Sequence, residues 1–77
     1  MTSDKIISRP FDELTRAVGK KVLITLKGDK SINGTLQAFD VHLNVILEDA
    51  EELTGSQSKA KHSKIMIRGD NILWVSL

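Results

Sequence analysis

The sequence predicts a mainly β domain in which a short N-terminal helix caps a small, strongly bent, five-stranded antiparallel barrel. Three observations carry this. A 3.6-residue apolar period appears once, between positions 10 and 18, and nowhere after it. Beyond Lys20, short β-branched and aliphatic runs alternate with turn signals centred on Gly28-Asp29 and Gly69-Asp70. A lone glycine, Gly34, falls inside one of these runs, where it weakens a flat strand and marks a sharp bend. Five strands are too few for two well-covered sheets, so a small, strongly curved barrel of SH3-like or OB-like type is preferred to a sandwich.

Taken in order, positions 1–8 show no period and read as a flexible arm. Pro10 suits the first helical position, Asp12 and Glu13 suit the positive end of the helix dipole, and Gly19 suits a left-handed C-terminal cap. A helix over 10–18 follows, with Phe11, Leu14, Ala17 and Val18 forming its apolar stripe. Strands are expected over 21–26, 32–40, 44–53, 64–68 and 71–76. Between the third and fourth, T-G-S-Q-S-K-A-K-H-S over 54–63 reads as a polar loop with His62 exposed in it. The last two strands are short, apolar and free of proline. They are either covered internally or paired between subunits, and one edge donated per subunit closes a ring. Trp74, the sole tryptophan, belongs to the core or to such an interface.

The 77 residues form a single domain over 1–77, with the barrel at 21–76. Chains this small usually need a staple or a partner. Cysteine is absent, which excludes disulfides and cysteine–histidine zinc sites, and His42 and His62 are too far apart for a short metal-ligand motif. Oligomerisation is the remaining source of stability. No metal or other cofactor is expected. The longest apolar run falls far short of the ~20 residues that span a bilayer, and Met1 to Arg9 lacks the apolar core of a signal peptide. A soluble cytoplasmic protein is therefore expected.

Net charge is only +1, from 11 basic and 10 acidic residues, so composition alone does not announce a nucleic-acid binder. The distribution is more telling. Acids gather at Glu48, Asp49, Glu51 and Glu52, and bases at Lys20, Lys21, Lys27, Lys30, Lys59, Lys61 and Lys64, which suggests separate faces of opposite sign.

The stretch F-D-V-H-L-N-V-I-L-E-D, 39–49, is the most informative. In an extended backbone alternate side chains share a face, so Asp40, His42 and Asn44 line one face, or one rim if the chain turns between them. A carboxylate, an imidazole and a carboxamide there suit a small planar polar ligand better than a core.

The run V-L-I-T-L-K-G-D-K-S-I-N-G-T-L-Q-A-F-D-V-H-L-N-V-I-L-E-D resembles the first motif of the Sm and Sm-like (LSm) RNA-binding proteins. I-M-I-R-G-D-N-I-L-W-V resembles their second. The joint presence of G-x-L-x-x-F-D-x-H-x-N and I-R-G-D-N-I is highly specific, and the short tails are most similar to the archaeal members, which typically form homoheptameric rings. The resemblance implies the Sm fold, with the fourth strand of one subunit paired to the fifth of the next. A hexamer or a larger ring stays open, because strand curvature and interface angle decide closure. It also implies binding of uridine-rich single-stranded RNA around the pore, one nucleotide per subunit. Residue by residue, His42 is similar to the base-stacking position and Asn44 to the reader of the uracil edge. Asp40 resembles the carboxylate that orients that asparagine, and Arg68 the arginine stacking on the other face of the base. The Gly69-Asp70 backbone resembles the remaining edge contact. Arg9 and Phe39 are candidates for a second RNA-contacting face beside the helix, although Phe39 stands where the family often carries tyrosine.

The chemistry agrees. A carboxamide offers one acceptor and one NH2 donor to the donor and acceptor of uracil, and a carboxylate beside it fixes which way the amide points. Imidazole and guanidinium planes suit a sandwiched base. Alone, His-x-Asn on a turn is ordinary turn chemistry and Arg68 an ordinary solvated strand end; the second motif reverses that balance. The lysines of 59–64 supply at most general attraction over about 8–10 Å. The alternative, an SH3-like protein-interaction module without RNA specificity, needs an aromatic groove for proline-rich peptides, and the chain has three aromatics and no tyrosine. An enzyme is not expected, because Asp40 and His42 lack a nucleophilic third member.

Overall fold

A computed structural model of the chain describes residues 9–77; the predicted arm at 1–8 lies outside the described residues. Helix α1 spans Pro10–Ala17, followed by strands β1 (Lys21–Leu26), β2 (Lys30–Phe39), β3 (Val45–Thr54), β4 (Gln57–Ile67) and β5 (Ile72–Ser76), with a 3-10 turn at Gly69–Asn71 before β5. All pairings are antiparallel and the sheet order is β4-β3-β2-β1-β5. The chain is mainly β, a helix over a bent sheet, as expected. Within one chain β4 and β5 are the two ends of that sheet.

The bend has a local cause. Between Asn33 and Thr35 on β2 the register against β3 slips, and β3 carries the extra residue. Asp49 takes a left-handed φ of 50° there. A Cβ on Gly34 would meet the Glu48 carbonyl oxygen at 3.0 Å and Ala50 at 3.1 Å, so the absent side chain is what lets the strands approach. A second slip, between Leu36 and Ala38, places an extra residue on β2. Curving the sheet this way encloses Ile24, Ile32, Leu36, Val45, Leu47 and Ala50, each at most 3% exposed.

The helix closes one end of this core with Leu14 and Ala17. Its start is as expected, with Pro10 in the first turn and the Asp12 carboxylate accepting from the Arg9 N–H at 3.1 Å. Its end is not. Val18 is extended (φ −60°, ψ 130°), Gly19 follows at φ +88°, and the Lys20 N–H donates to the Ala17 carbonyl at 2.9 Å. This is a type II β-turn leading into the sheet rather than a helix cap. The apolar stripe is correspondingly narrower: Phe11 and Val18 are each 43% exposed.

The largest departure is at 54–63. The expected loop is a two-residue turn, Gly55-Ser56, and ten-residue β3 runs into eleven-residue β4. The polar composition hid a strand whose outer half is wet on both faces. Cross-strand pairs hold it. Lys64 Nζ lies 3.9 Å from Glu48 Oε2, and His62, on the strand and half-buried, has Nε2 3.3 Å from Glu52 Oε1. Glu51 stands opposite Lys61, and its carboxyl is held below the ordinary range by the Ser58 hydrogen bond first and by Lys61 next. The acids of β3 and the lysines of β4 are thus partners on adjacent strands, not separate faces. Trp74 is 61% exposed on β5, which removes it from the core.

Candidate nucleic-acid interface

Two turns meet at one end of the sheet, Asp40–Asn44 between β2 and β3 and Arg68–Asn71 before β5. The first is folded by one carboxylate. Asp40 Oδ1 accepts the His42 N–H at 2.8 Å and the Asn44 N–H at 3.1 Å. The Asp40 carbonyl accepts the Leu43 N–H at 3.0 Å, and Leu43 sits at φ +60°. A short acceptor that satisfies successive backbone donors is what lets this tight turn form. Asp40, His42 and Asn44 accordingly share a rim, not a flat strand face.

The second oxygen of Asp40 does different work. Oδ2 accepts from Asn44 Nδ2 at 3.0 Å, while Asn44 Oδ1 accepts the Gly69 N–H at 2.9 Å. The half-buried amide is therefore held at both ends, by an acceptor on its nitrogen and by a donor on its oxygen. Flipping it would oppose donor to donor and acceptor to acceptor. Beyond these two bonds the amide has one further N–H and one further oxygen lone pair. The Asn44 amide, followed by the two turn N–H groups and the charge of His42, holds the Asp40 carboxyl below its ordinary range.

Gly69 is fixed by space. A Cβ there would lie 2.0 Å from the His42 carbonyl oxygen and 2.9 Å from the Leu43 carbonyl carbon, so only glycine lets the turns touch. On either side of it, Arg68 Nη2 lies 3.3 Å from Asp70 Oδ2, with both side chains exposed. The structure thus brings Asp40, Asn44 and Gly69 into one network, with His42, Arg68 and Asp70 on its rim. Sequence reasoning missed that the Gly69 N–H binds Asn44 and that the Asp70 side chain reaches Arg68.

On the helix side, Arg9 lines a groove of about 620 Å³ with Pro10, Phe11, Leu14, Val41 and Leu43. Phe39 does not line it. Its ring is stacked on Phe11, with centroids 5.9 Å apart at 26°. Val41 is 72% exposed here, an apolar contribution that the motif pattern did not signal. Among the described residues no group of three or more His, Cys, Asp or Glu could hold a metal, and no helix is long and apolar enough to cross a membrane.

The LSM domain family matches residues 12–77, most of the chain. The chain belongs to that family. An Sm-like protein of Methanosarcina acetivorans is 41% identical over 69 residues, covering 90% of this chain and 96% of the relative. A Pyrococcus abyssii Sm protein, solved in complex with a uridine heptamer, superposes with a TM-score of 0.86 at 42% identity, covering 90% of this chain and 97% of that one. A heptameric Sm-like protein of Pyrobaculum aerophilum gives 0.83 at 35% identity, over 92% and 95% of the two chains. This Sm-like chain therefore shares the fold of the solved Sm proteins, and both of its family motifs meet at the Asp40–Asn44 and Arg68–Asn71 turns.

Proposed function

We propose that the chain is a subunit of a homoheptameric ring that binds uridine-rich single-stranded RNA around its pore, one nucleotide per subunit, as a non-enzymatic scaffold or chaperone in RNA processing or turnover. The observation that carries this is the Asn44 amide held at both ends. Uracil N3–H would donate to the open lone pair of Oδ1, and the remaining Nδ2–H would donate to the adjacent uracil carbonyl. Cytosine reverses both groups and meets donor with donor. The pocket would consist of Asp40, His42, Asn44, Arg68, Gly69 and Asp70, with the His42 and Arg68 planes taking the two faces of the base. Stacking of this kind supplies ~1–3 kcal/mol per base. Because the Gly69 N–H is committed to Asn44, Gly69 holds the reading group, and the further backbone contact falls to Asp70.

One such site is weak, and linkage along one strand makes several strong through effective concentration. The ring supplies that linkage. Strands β4 and β5 end the sheet with exposed Met66, Leu73 and Trp74, which supports pairing β4 of one subunit with β5 of the next. Heptameric Sm relatives support the subunit number. No reaction is assigned, since the carboxylate nearest His42 is spent on holding its turn. A weaker helix-side contact is assigned to Arg9, with Phe39 backing Phe11. The test is to replace His42 and Asn44 by alanine. The double variant should still form rings and should bind oligo-U and oligo-C alike, whereas a retained preference for oligo-U would place base reading elsewhere.

A further inference from the structure

The exposed ion pair between Arg68 and Asp70 has no evident structural purpose. At 3.3 Å, with both side chains well over half exposed, it adds little to folding. Its place is what matters. Arg68 immediately precedes Gly69, whose N–H holds the base-reading amide, and Asp70 immediately follows it. The pair thus straddles the pocket rim, on the turn that positions Asn44.

We propose that Asp70 is a specificity-determining residue that acts through Arg68, keeping the guanidinium as a platform for the base and away from the phosphates. This rests on the uracil-pocket assignment. An unpartnered arginine at the rim of an RNA site has two competing uses. It can lie flat on a base, or it can turn its fork of N–H donors onto a phosphate, which every nucleotide offers equally. The second use raises affinity for any strand and makes binding salt-dependent without reading sequence. A carboxylate already engaging the fork removes much of the attraction to phosphate and leaves the π-face of the guanidinium open. It also orders a long side chain before RNA arrives. A base sandwiched in register over Asn44 is then read, and a backbone clamped by a free arginine is not. The near-neutral net charge of +1 fits a protein that selects by base more than by polyanion attraction.

Asp70→Asn tests this, because asparagine serves a turn as well as aspartate and removes only the charge. Heptauridylate and heptacytidylate would be titrated into the intact ring across a salt series. In the variant, the ratio of uridine to cytidine affinity should fall by about three-fold or more, the scale of a lost exposed ion pair. The logarithmic salt slope should steepen by ~0.7 for each subunit whose arginine gains a phosphate. Asp70→Glu should restore both. In an Arg68→Ala background, Asp70→Asn should change neither quantity, which a merely structural role for Asp70 would not predict. If Asp70→Asn disturbs the ring by native mass spectrometry, Asp70→Ser replaces it in the same series. A ratio and slope unchanged from wild type, or an effect that persists without Arg68, would overturn the proposal. Wild-type protein that binds the two heptamers equally would instead overturn the pocket assignment beneath it.

Discussion

Gly69→Ala is the smallest change that should uncouple the two turns. Alanine keeps the N–H that holds Asn44 and adds one methyl group, which would stand 2.0 Å from the His42 carbonyl oxygen and 2.9 Å from the Leu43 carbonyl carbon. Both obstacles are backbone, so no rotamer relieves them. Contacts under 3.0 Å are essentially not tolerated, so the turns must part by at least 1 Å. Taken along the 2.9 Å bond from the Gly69 N–H to Asn44 Oδ1, that movement stretches it to roughly 3.9 Å, beyond hydrogen-bond range. The lost bond costs about 0.5–1.5 kcal/mol, because the Gly69 donor is only part-buried and water can reach it. Asn44 then keeps only its tether to Asp40, and the discrimination of uracil from cytosine should weaken along with stability. Denaturant melts and oligonucleotide titrations on the same preparation would report both. A variant with wild-type stability and an unchanged oligo-U preference would refute the double-tether account.

Three further outcomes follow from the geometry. Because the Asp40 carboxyl is held below its ordinary value of 3.8 in the folded chain, its contribution is complete above that value and is lost as pH falls through the lowered one; oligo-U preference measured from neutral pH downward should therefore survive mild acid, and loss by protonation of Asp40 near pH 5 would contradict the assignment. Leu47→Ala, at a fully buried β3 position, should destabilise the chain by about 2–5 kcal/mol in denaturant titrations, with a loss under 1 kcal/mol arguing against the core described above. Trp74→Ala, on an exposed edge, should spare secondary structure by circular dichroism yet shift native mass spectra toward smaller assemblies, and an undiminished ring would remove Trp74 from the interface.

What the sequence made legible follows from where its signals are local. The Asp40–Asn44 turn announces itself because each residue type is demanded by a nearby bond: a carboxylate for two turn N–H groups, and an amide that can face it. Gly34 was readable for the same reason, as a strand glycine has few causes besides a close approach. The outer half of β4 was not readable. Both of its faces are wet, so no apolar alternation marks Gln57 to Lys64, and the pairs that hold it against β3 (Glu48 with Lys64, Glu52 with His62) appear only once the register is known. The end of the helix is ambiguous in sequence because Gly19 fits a helix cap and a type II turn equally well. Exposure of Trp74 could not be read from its position on an apolar strand, since an edge awaiting a partner and a core strand carry the same pattern. The Arg68–Asp70 pair lies two residues apart across a turn, where sequence spacing gives no direction to either side chain.

The central claim is that a locked carboxamide, repeated around a ring, reads uracil. Isothermal titration of the purified wild-type assembly with heptauridylate and with heptacytidylate, under identical salt, tests it most directly. The account predicts clearly tighter binding of heptauridylate, near one strand per ring. Equal affinity for the two heptamers would contradict it.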